Sequence, residues 1–342
     1  MKKLKVAQIG IGHDHAQPAY ATIKKQTDLF EVIGWCKSAD EAARDMKPAG
    51  CFEPEKEMTV EQILDYPGLD AVVVETDDWS LTEYAQMAAD RGLHIQMDKP
   101  GAQPQDEFEK LARTVKEKNL VFHLGYMYRY NPAIIEIMEK ASAGEYGVIY
   151  SVEAHMNCEH PASKRQWLAH FKGGMLYFLG CHLIDLIFRI QGMPEEIIPL
   201  STSTGFDGVT GEDFGMTVFK YKNGVSFAKT SACEPGGFNR RQLVVCGSKK
   251  TVEVRPLEWY IGYNGLQKAS VRVAEANHGW QYDGKHADTD PFDRYEAMMA
   301  DFAAMVRGEK ENPYTLEYEC ALHRVILAAC GFDIDYKAEI IL

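Results

Sequence analysis

No Cys-x-x-Cys pair occurs in this sequence, and no run of about 18 uninterrupted apolar residues. The eight cysteines stand at 36, 51, 158, 181, 233, 246, 320 and 330. That scatter excludes a zinc ribbon or a disulfide scaffold and suits a reducing cytoplasm. Without a long apolar run, no segment is expected to cross a bilayer as a helix. Positive charge is also scarce: 37 Lys and Arg face 50 Asp and Glu, a net charge of −13. Such a surface repels phosphate backbones and anionic lipid, so the expected partner is a small neutral or polar molecule, with neither nucleic acid nor membrane involved. Met1-Lys2-Lys3 would suit the start of an export signal, but the apolar run behind it is broken by Lys5 and Gln8. A strand is expected there instead. Repeats and low-complexity tracts are absent as well.

What the chain does have is 342 residues, 46% of them hydrophobic, which is long for one core and predicts two domains. From Leu4 to about Phe122, short and nearly continuous apolar runs alternate with helical stretches. The expected strands are Leu4–Ile9, Phe30–Cys36, Ala71–Glu75, Leu93–Met97 and Leu120–Leu124. The expected helices are Ala16–Lys25, Ala39–Met46, Thr59–Leu64, Leu81–Arg91 and Gln105–Lys118. This is the pattern of a doubly wound parallel α/β unit, placed at residues 1–124. After a helix over Ala133–Ala143, the period changes to alternation in Val148–Met156, Asp213–Tyr221, Val225–Ala232, Gln242–Cys246 and Thr251–Arg255. Residues 125–342 therefore predict an α+β domain on an open, mostly antiparallel sheet. Lys222-Asn223-Gly224 signals a hairpin. An apolar helix, Met175–Ile190, interrupts the strands, and helices near Pro291–Arg307 and Leu316–Cys330 close the chain and are free to pack back on the first domain.

Two motifs carry the chemistry. The first strand breaks into Gly10-Ile11-Gly12-His13-Asp14-His15, a turn that lets backbone N–H groups approach a pyrophosphate at a helix N-terminus. The third glycine of the dinucleotide fingerprint is His15 here. Asp98-Lys99-Pro100 stands at the end of a later strand, where open parallel sheets bind ligands. Together they predict a nicotinamide-dependent oxidoreductase whose cofactor residues include Gly10, Gly12, His13, His15, Thr76, Asp98 and Lys99. The second strand ends in Lys37-Ser38 where NAD enzymes carry an acid. A lysine and a hydroxyl there suit a 2′-phosphate, so NADP is favoured over NAD. Ser38 also fits the N-cap of a capping box with Glu41, and both readings stand together.

With Gly125-Tyr126-Met127-Tyr128-Arg129-Tyr130-Asn131-Pro132 and Gly173-Gly174-Met175 leading to His182 and Asp185, these motifs make the chain resemble, over essentially its whole length, the Gfo/Idh/MocA family of sugar and polyol oxidoreductases. The resemblance implies that Lys99 hydrogen-bonds the reacting hydroxyl and that His182 is the general acid/base. An oxidised nicotinamide is cationic and would lower the pKa of a neighbouring lysine, while histidine titrates near neutrality. His182 and Asp185 lie three apart on a helix, so Asp185 is positioned to orient the imidazole. The family commonly has an aspartate four residues before the histidine, and here that residue is Phe178. Either Lys99 and His182 run the proton chemistry alone, with Phe178 against the substrate, or ordinary dehydrogenation is lost. Family members usually dimerise or tetramerise through the open sheet face, which implies a homo-oligomer.

The other expected substrate contacts are Tyr126, Arg129, His155, Asn157 and Trp167, each of which also has a plain core or ion-pair reading. The loop Asn277–Tyr282 is expected either to cover the site or to form an interface. His155, Cys158 and His160 cluster, and His13 and His15 flank Asp14, but neither spacing matches a zinc pattern, and no metal is expected. Two rivals to the dehydrogenase remain: a redox-neutral sugar-modifying enzyme that regenerates its NAD(P), and a non-catalytic dinucleotide- or sugar-binding protein.

Overall fold

The computed structural model describes residues 2–262 and 265–342. The chain divides into two compact units. The first takes in residues up to Met127, Tyr295–His323 and Glu339–Leu342; the second takes in Tyr128–Arg294 and Arg324–Ala338.

In the first unit, β1 (Leu4–Ile9), β2 (Phe30–Cys36), β3 (Ala71–Val74), β4 (His94–Met97) and β5 (Phe122–Leu124) form a parallel sheet in the order β2-β1-β3-β4-β5. β3 reads Ala-Val-Val-Val and is buried at every residue, as a β-branched strand covered on both faces should be. The order reverses between β1 and β3, which makes the crevice at their C-terminal ends the ligand position of this architecture. The connecting helices are α1 (Ala16–Lys25), α2 (Ala39–Ala43), α3 (Val60–Leu64), α4 (Leu81–Asp90) and α5 (Gln105–Glu117). On α5 the buried residues Phe108, Leu111, Ala112 and Val115 recur at helical spacing. Two helices are shorter than their patterns predict, for local reasons. α2 stops at Ala43 because Asp45 turns to φ +50° and Pro48 follows. Thr59 stands outside α3 as its N-cap, in a capping box with Gln62.

The second unit opens with α6 (Pro132–Ser142), β6 (Ile149–Asn157), α7 (Ala162–Trp167) and α8 (Cys181–Gln191). Its further strands are β7 (Glu196–Pro199), β8 (Phe214–Tyr221), β9 (Gly224–Ser231), β10 (Gln242–Gly247), β11 (Lys250–Val254), β12 (Trp259–Tyr260), β13 (Gln267–Lys268), β14 (Ser270–Glu275) and β15 (Lys285–Asp288). Eight of these form a sheet in the order β15-β14-β11-β10-β6-β9-β8-β7. Its pairs are antiparallel except β6 with β9. Tyr221 pairs with Gly224, so Lys222-Asn223 is the hairpin connection. α8 packs on β6 and β9, where Val152, Ala154 and Met156 are the buried alternates of β6. The stretch expected as one helix is in two parts: a π-helical turn, Leu176–Gly180, feeds α8. The last helices are α9 (Glu296–Val306) and α10 (Leu316–Ala329), and α10 belongs to the first unit as far as His323. The loop with Asn277–Tyr282 joins β14 to β15 and leaves the Trp280 ring fully exposed.

Candidate active site

The turn after β1 is built around Gly10, whose φ is +97°. A Cβ added there would lie 2.4 Å from the Thr76 backbone nitrogen, so only glycine lets β1 and the end of β3 approach this closely. Gly10 N–H donates to the Cys36 carbonyl at 2.8 Å. The next two amides point at Glu41: Gly12 N–H donates to its Oε1 at 2.7 Å, and Ile11 N–H reaches the same carboxylate at 3.1 Å. The Glu41 side chain also accepts from Ser38 N–H at 2.8 Å. The expected capping box is thus present and extends onto the glycine turn. Burial pushes the Glu41 carboxyl up, and the three backbone donors pull it back only in part.

Of the two residues that favoured NADP, Ser38 takes its capping-box role and Lys37 is paired with an acid. Ser38 is 1% exposed, and its hydroxyl accepts from Glu41 N–H; Lys37 Nζ pairs with Glu57 at 3.2 Å. Thr76 is fully buried beside Gly10, and its hydroxyl donates to the Asp77 carbonyl.

At the C-terminal ends of β1, β3 and β4, six titratable residues converge: His13, His15, Glu75, Asp78, Asp98 and Lys99. His15 Nδ1 lies 2.9 Å from Asp98 Oδ2, and Lys99 N–H donates to Asp98 Oδ1 at 2.6 Å. His13 Nδ1 accepts from His15 N–H at 3.2 Å, 3.3 Å from Asp98 Oδ2 and 3.5 Å from Glu75 Oε2. Its Nε2 lies 3.5 Å from Asp78 Oδ1. Burial alone would raise Asp98, but His13, His15 and Lys99 beside it hold the carboxyl well below the usual range. Glu75 is pushed far up, first by burial and then by ionised Asp98. His15 is lowered by burial, against the pull of Asp98. Lys99 itself is 1% exposed, which no ordinary surface lysine is.

In the second unit, His182 lies on α8, 1% exposed, with the Tyr128 ring edge-on to it at 5.1 Å. Asp185 departs from its expected role. Its Oδ2 and Oδ1 accept from Arg129 Nε and Nη2 at 3.0 and 2.8 Å, both side chains being buried. This bidentate pair satisfies two buried charges at once: it engages Asp185 with Arg129 in place of the expected orientation of the imidazole, and it is the ion-pair reading that stood open for Arg129. Asn131 of the same motif caps α6 through Ala133 N–H at 3.0 Å and donates to the Leu257 carbonyl at 2.9 Å. Tyr126, in the first unit, is buried.

His155 does not share a face with His182. It pairs across the sheet with Gln242 and Lys229 and packs against the Phe227 ring. That is the face opposite α8, so the expected grouping with His182 is corrected by strand parity. Burial and then Lys229 lower its pKa to about 4. Asn157 is fully buried, and neither of its side-chain amide atoms has a hydrogen-bond partner among the described residues. Trp167 and Phe178 meet edge to face at 5.3 Å.

The Glu75/Asp78 pair was not singled out from the sequence, nor was the reach of Glu41 onto the glycine turn. The acidic run Glu75-Thr76-Asp77-Asp78 directly after a buried strand was the available signal for the pair. His13, His15 and Asp98 bring three metal-ligand-type atoms within 4.8 Å of one another, and hydrogen bonds already join them. At the glycine turn the Ile11 and Gly12 amides, expected to approach a pyrophosphate, donate to the Glu41 carboxylate instead. Glu75 Oε2 and Asp78 Oδ1 are buried acceptors that take no hydrogen bond among the described residues. Such acceptors suit ribose hydroxyls. No helix among the described residues is long and apolar enough to cross a membrane.

Residues 4–126 match the family described as "Oxidoreductase family, NAD-binding Rossmann fold", and residues 134–253 match the "GFO/IDH/MocA C-terminal domain". Among curated proteins, the chain is 26% identical over 140 residues to scyllo-inositol 2-dehydrogenase (NADP(+)) of Bacillus subtilis (strain 168), covering 40% of this chain and 39% of that protein. It is 26% identical over 224 residues to 2,7-anhydro-N-acetylneuraminate hydratase of Mediterraneibacter gnavus, covering 63% and 56%. These matches span less than two thirds of the relatives' own length. A solved levoglucosan dehydrogenase in complex with NADH and levoglucosan superposes with a TM-score of 0.75 at 19% identity, covering 96% of this chain and 98% of that one, which is a likeness of fold. Two successive matches to the two halves of one family, on a parallel sheet followed by a mostly antiparallel one, make this chain a member of the Gfo/Idh/MocA oxidoreductase family.

Proposed function

We propose that the protein is an NAD(P)-dependent oxidoreductase that moves a hydride between a nicotinamide and a secondary alcohol carbon of a sugar or polyol. The observation that carries this is Lys99: an almost fully buried lysine at the end of β4, directly after an Asp98 carboxylate anchored by His15, in the unit that carries the glycine turn. The bound dinucleotide supplies the hydride acceptor. Gly10, Gly12 and Thr76 shape the turn that receives it, with Glu75 and Asp78 as acceptors at the strand ends. Lys99 hydrogen-bonds the reacting hydroxyl and takes its proton as the hydride leaves. His182 serves as the second proton-handling group. With Ser38 buried and Lys37 paired to Glu57, the geometry lends no support to NADP over NAD, and titration of both decides it. The inositol and levoglucosan enzymes among the relatives and neighbours, named with NADP and NADH respectively, support the substrate class.

A redox-neutral reaction is the second reading, favoured by Phe178 in the place of the usual aspartate and by the hydratase among the relatives. The test strips any copurified nucleotide, then titrates NAD and NADP with and without a polyol and sugar panel, following reduced-nicotinamide absorbance. Substrate-dependent reduction that falls about 10²- to 10⁴-fold in Lys99→Met and His182→Ala, with dinucleotide binding retained, supports the dehydrogenase. Binding without net reduction moves the assignment to the redox-neutral enzyme, and no binding of either dinucleotide overturns both.

A further inference from the structure

The second unit holds a charged cluster that the chemistry described so far does not use. Glu258 is buried, and its carboxylate accepts from Arg241 Nη1 at 3.1 Å, from Arg294 Nε at 2.8 Å and from the Tyr128 hydroxyl at 2.5 Å. Arg241 Nη1 also donates to the Tyr128 oxygen at 3.0 Å, so that hydroxyl both donates and accepts. Burial would raise the Glu258 carboxyl, but Arg294 and Arg241 hold it below the usual range. Burial and then Glu258 push the Tyr128 phenol up, so it keeps the proton it donates. Taking such charges out of water costs about what their pairing returns, and stability alone is a weak account of them.

The loop that carries Glu258 is fixed from two sides. Leu257 N–H donates to the Arg241 carbonyl at 2.8 Å, and the Leu257 carbonyl accepts from Asn131 Nδ2 at 2.9 Å. Asn131 follows the short helical turn, Met127–Tyr130, that carries Tyr128. What this bracing holds is the Tyr128 ring, and the ring stands against His182 with centroids 5.1 Å apart and planes at 77°. Both side chains are buried, and an edge-to-face contact of this kind is directional. Asp185, from which the orienting role was expected, is engaged by Arg129.

We propose that Tyr128 is a positioning residue for His182: Arg241 and Glu258 fix its hydroxyl, and the fixed ring sets the orientation of the imidazole. This rests on the proposed function in giving His182 a proton to carry. A proton-handling imidazole must come within hydrogen-bond reach of its partner, and a misplacement of about 1 Å costs on the order of 10²-fold in rate.

The experiment measures kcat, KM and dinucleotide affinity with the fastest substrate of the polyol and sugar panel. It compares wild type, Tyr128→Leu, Tyr128→Phe and His182→Ala, and each Tyr128 change is repeated in the H182A background. The expected result is a kcat lowered about 10- to 100-fold in Y128L, which loses the ring, with dinucleotide Kd within about 2-fold of wild type. Y128F keeps the ring but frees it from Glu258, and should lose about 3- to 10-fold. In H182A the same two changes should cost less than about 2-fold, because they act through the imidazole. A merely structural tyrosine would lower both backgrounds alike. Spectra of protein labelled with ¹³C-histidine give a readout that needs no turnover: the His182 ring signal, assigned by its loss in H182A, should be sharp in wild type and broadened or split in both Tyr128 variants. Equal costs in the two backgrounds, Tyr128 variants within about 2-fold of wild-type kcat, or a His182 signal that they leave unchanged overturn the inference and leave the oxidoreductase reading standing. Full activity in H182A would instead strike the role of His182 from the proposed function, and this inference with it.

Discussion

Glu75 and Asp98 end neighbouring parallel strands, and the fold makes them different acids. Asp98 is held ionised by His13, His15 and Lys99, whereas burial and then Asp98 itself push the Glu75 carboxyl far up. A carboxyl whose folded pKa lies above its unfolded value contributes stability below the unfolded pKa and loses it as pH rises through the folded one. Glu75→Gln, which keeps the shape and cannot ionise, should therefore match wild type near pH 5 and gain a few degrees of Tm on it by pH 9. Thermal melts across that range check this, and a Tm difference that stays flat with pH would show that Glu75 titrates alike in both states. Local rules were enough to mark Gly10, Gly12, Asp98 and Lys99 as candidates, because turn chemistry and strand-end position act over a few residues, whereas His182 was marked by the family resemblance. For Arg129 the choice between substrate contact and ion pair could not be made locally, because its partner Asp185 lies 56 residues away and only the fold pairs them. His155 was misgrouped because strand parity, invisible until the sheet is assembled, turns it to the face away from α8.

Among elements, the segment from Gly173 to Gln191 departs most from its sequence pattern. Apolar periodicity predicts one helix; the structure starts it with a π-helical turn, which changes the angle between Phe178 and His182 relative to an ideal α-helix. The entry to that turn is set by Gly173 and Gly174, at φ +86° and +40°. A Cβ on Gly174 would sit 2.1 Å from the Glu212 carbonyl oxygen, and one on Gly173 2.4 Å from Cys330 Sγ. Gly174→Ala should thus destabilise by about 3 kcal/mol or more, since both the backbone conformation and the space forbid a side chain. Chemical denaturation checks the loss, and a midpoint within error of wild type would contradict it. The capping box at Ser38 was legible because its partner lies three residues on. β7 escaped notice because it is a short edge strand, mostly exposed and ending in Pro199.

For the whole molecule, the second sheet has one face against α8 and another on which Val218, Phe227, Glu153 and Val244 stand in one row and Met216, Lys229, His155 and Gln242 in the next. These residues are half-exposed. An apolar row of this kind on a chain of net charge −13 is the surface through which two copies would bury hydrophobic area. Light scattering should return a multiple of the 38.5 kDa chain mass, and Phe227→Glu should shift it toward the monomer. A wild-type mass of a single chain would overturn the proposed homo-oligomer.

The sequence by itself determined the succession of a parallel α/β unit and a mostly antiparallel one, the glycine turn, and the candidate lysine and histidine. The succession, the turn and the strand-end lysine follow from periodicity and from interactions between residues a few positions apart, and the histidine from the family resemblance. Tertiary structure decided what those residues face: which carboxyl beside Lys99 is pushed up, that Arg129 closes on Asp185, that Ser38 and Glu41 brace the glycine turn, and that Lys164 rests on the rings of Trp167 and Phe178. Proton affinity, ion pairing and ring contact depend on distances across strands and helices, and folding sets those distances.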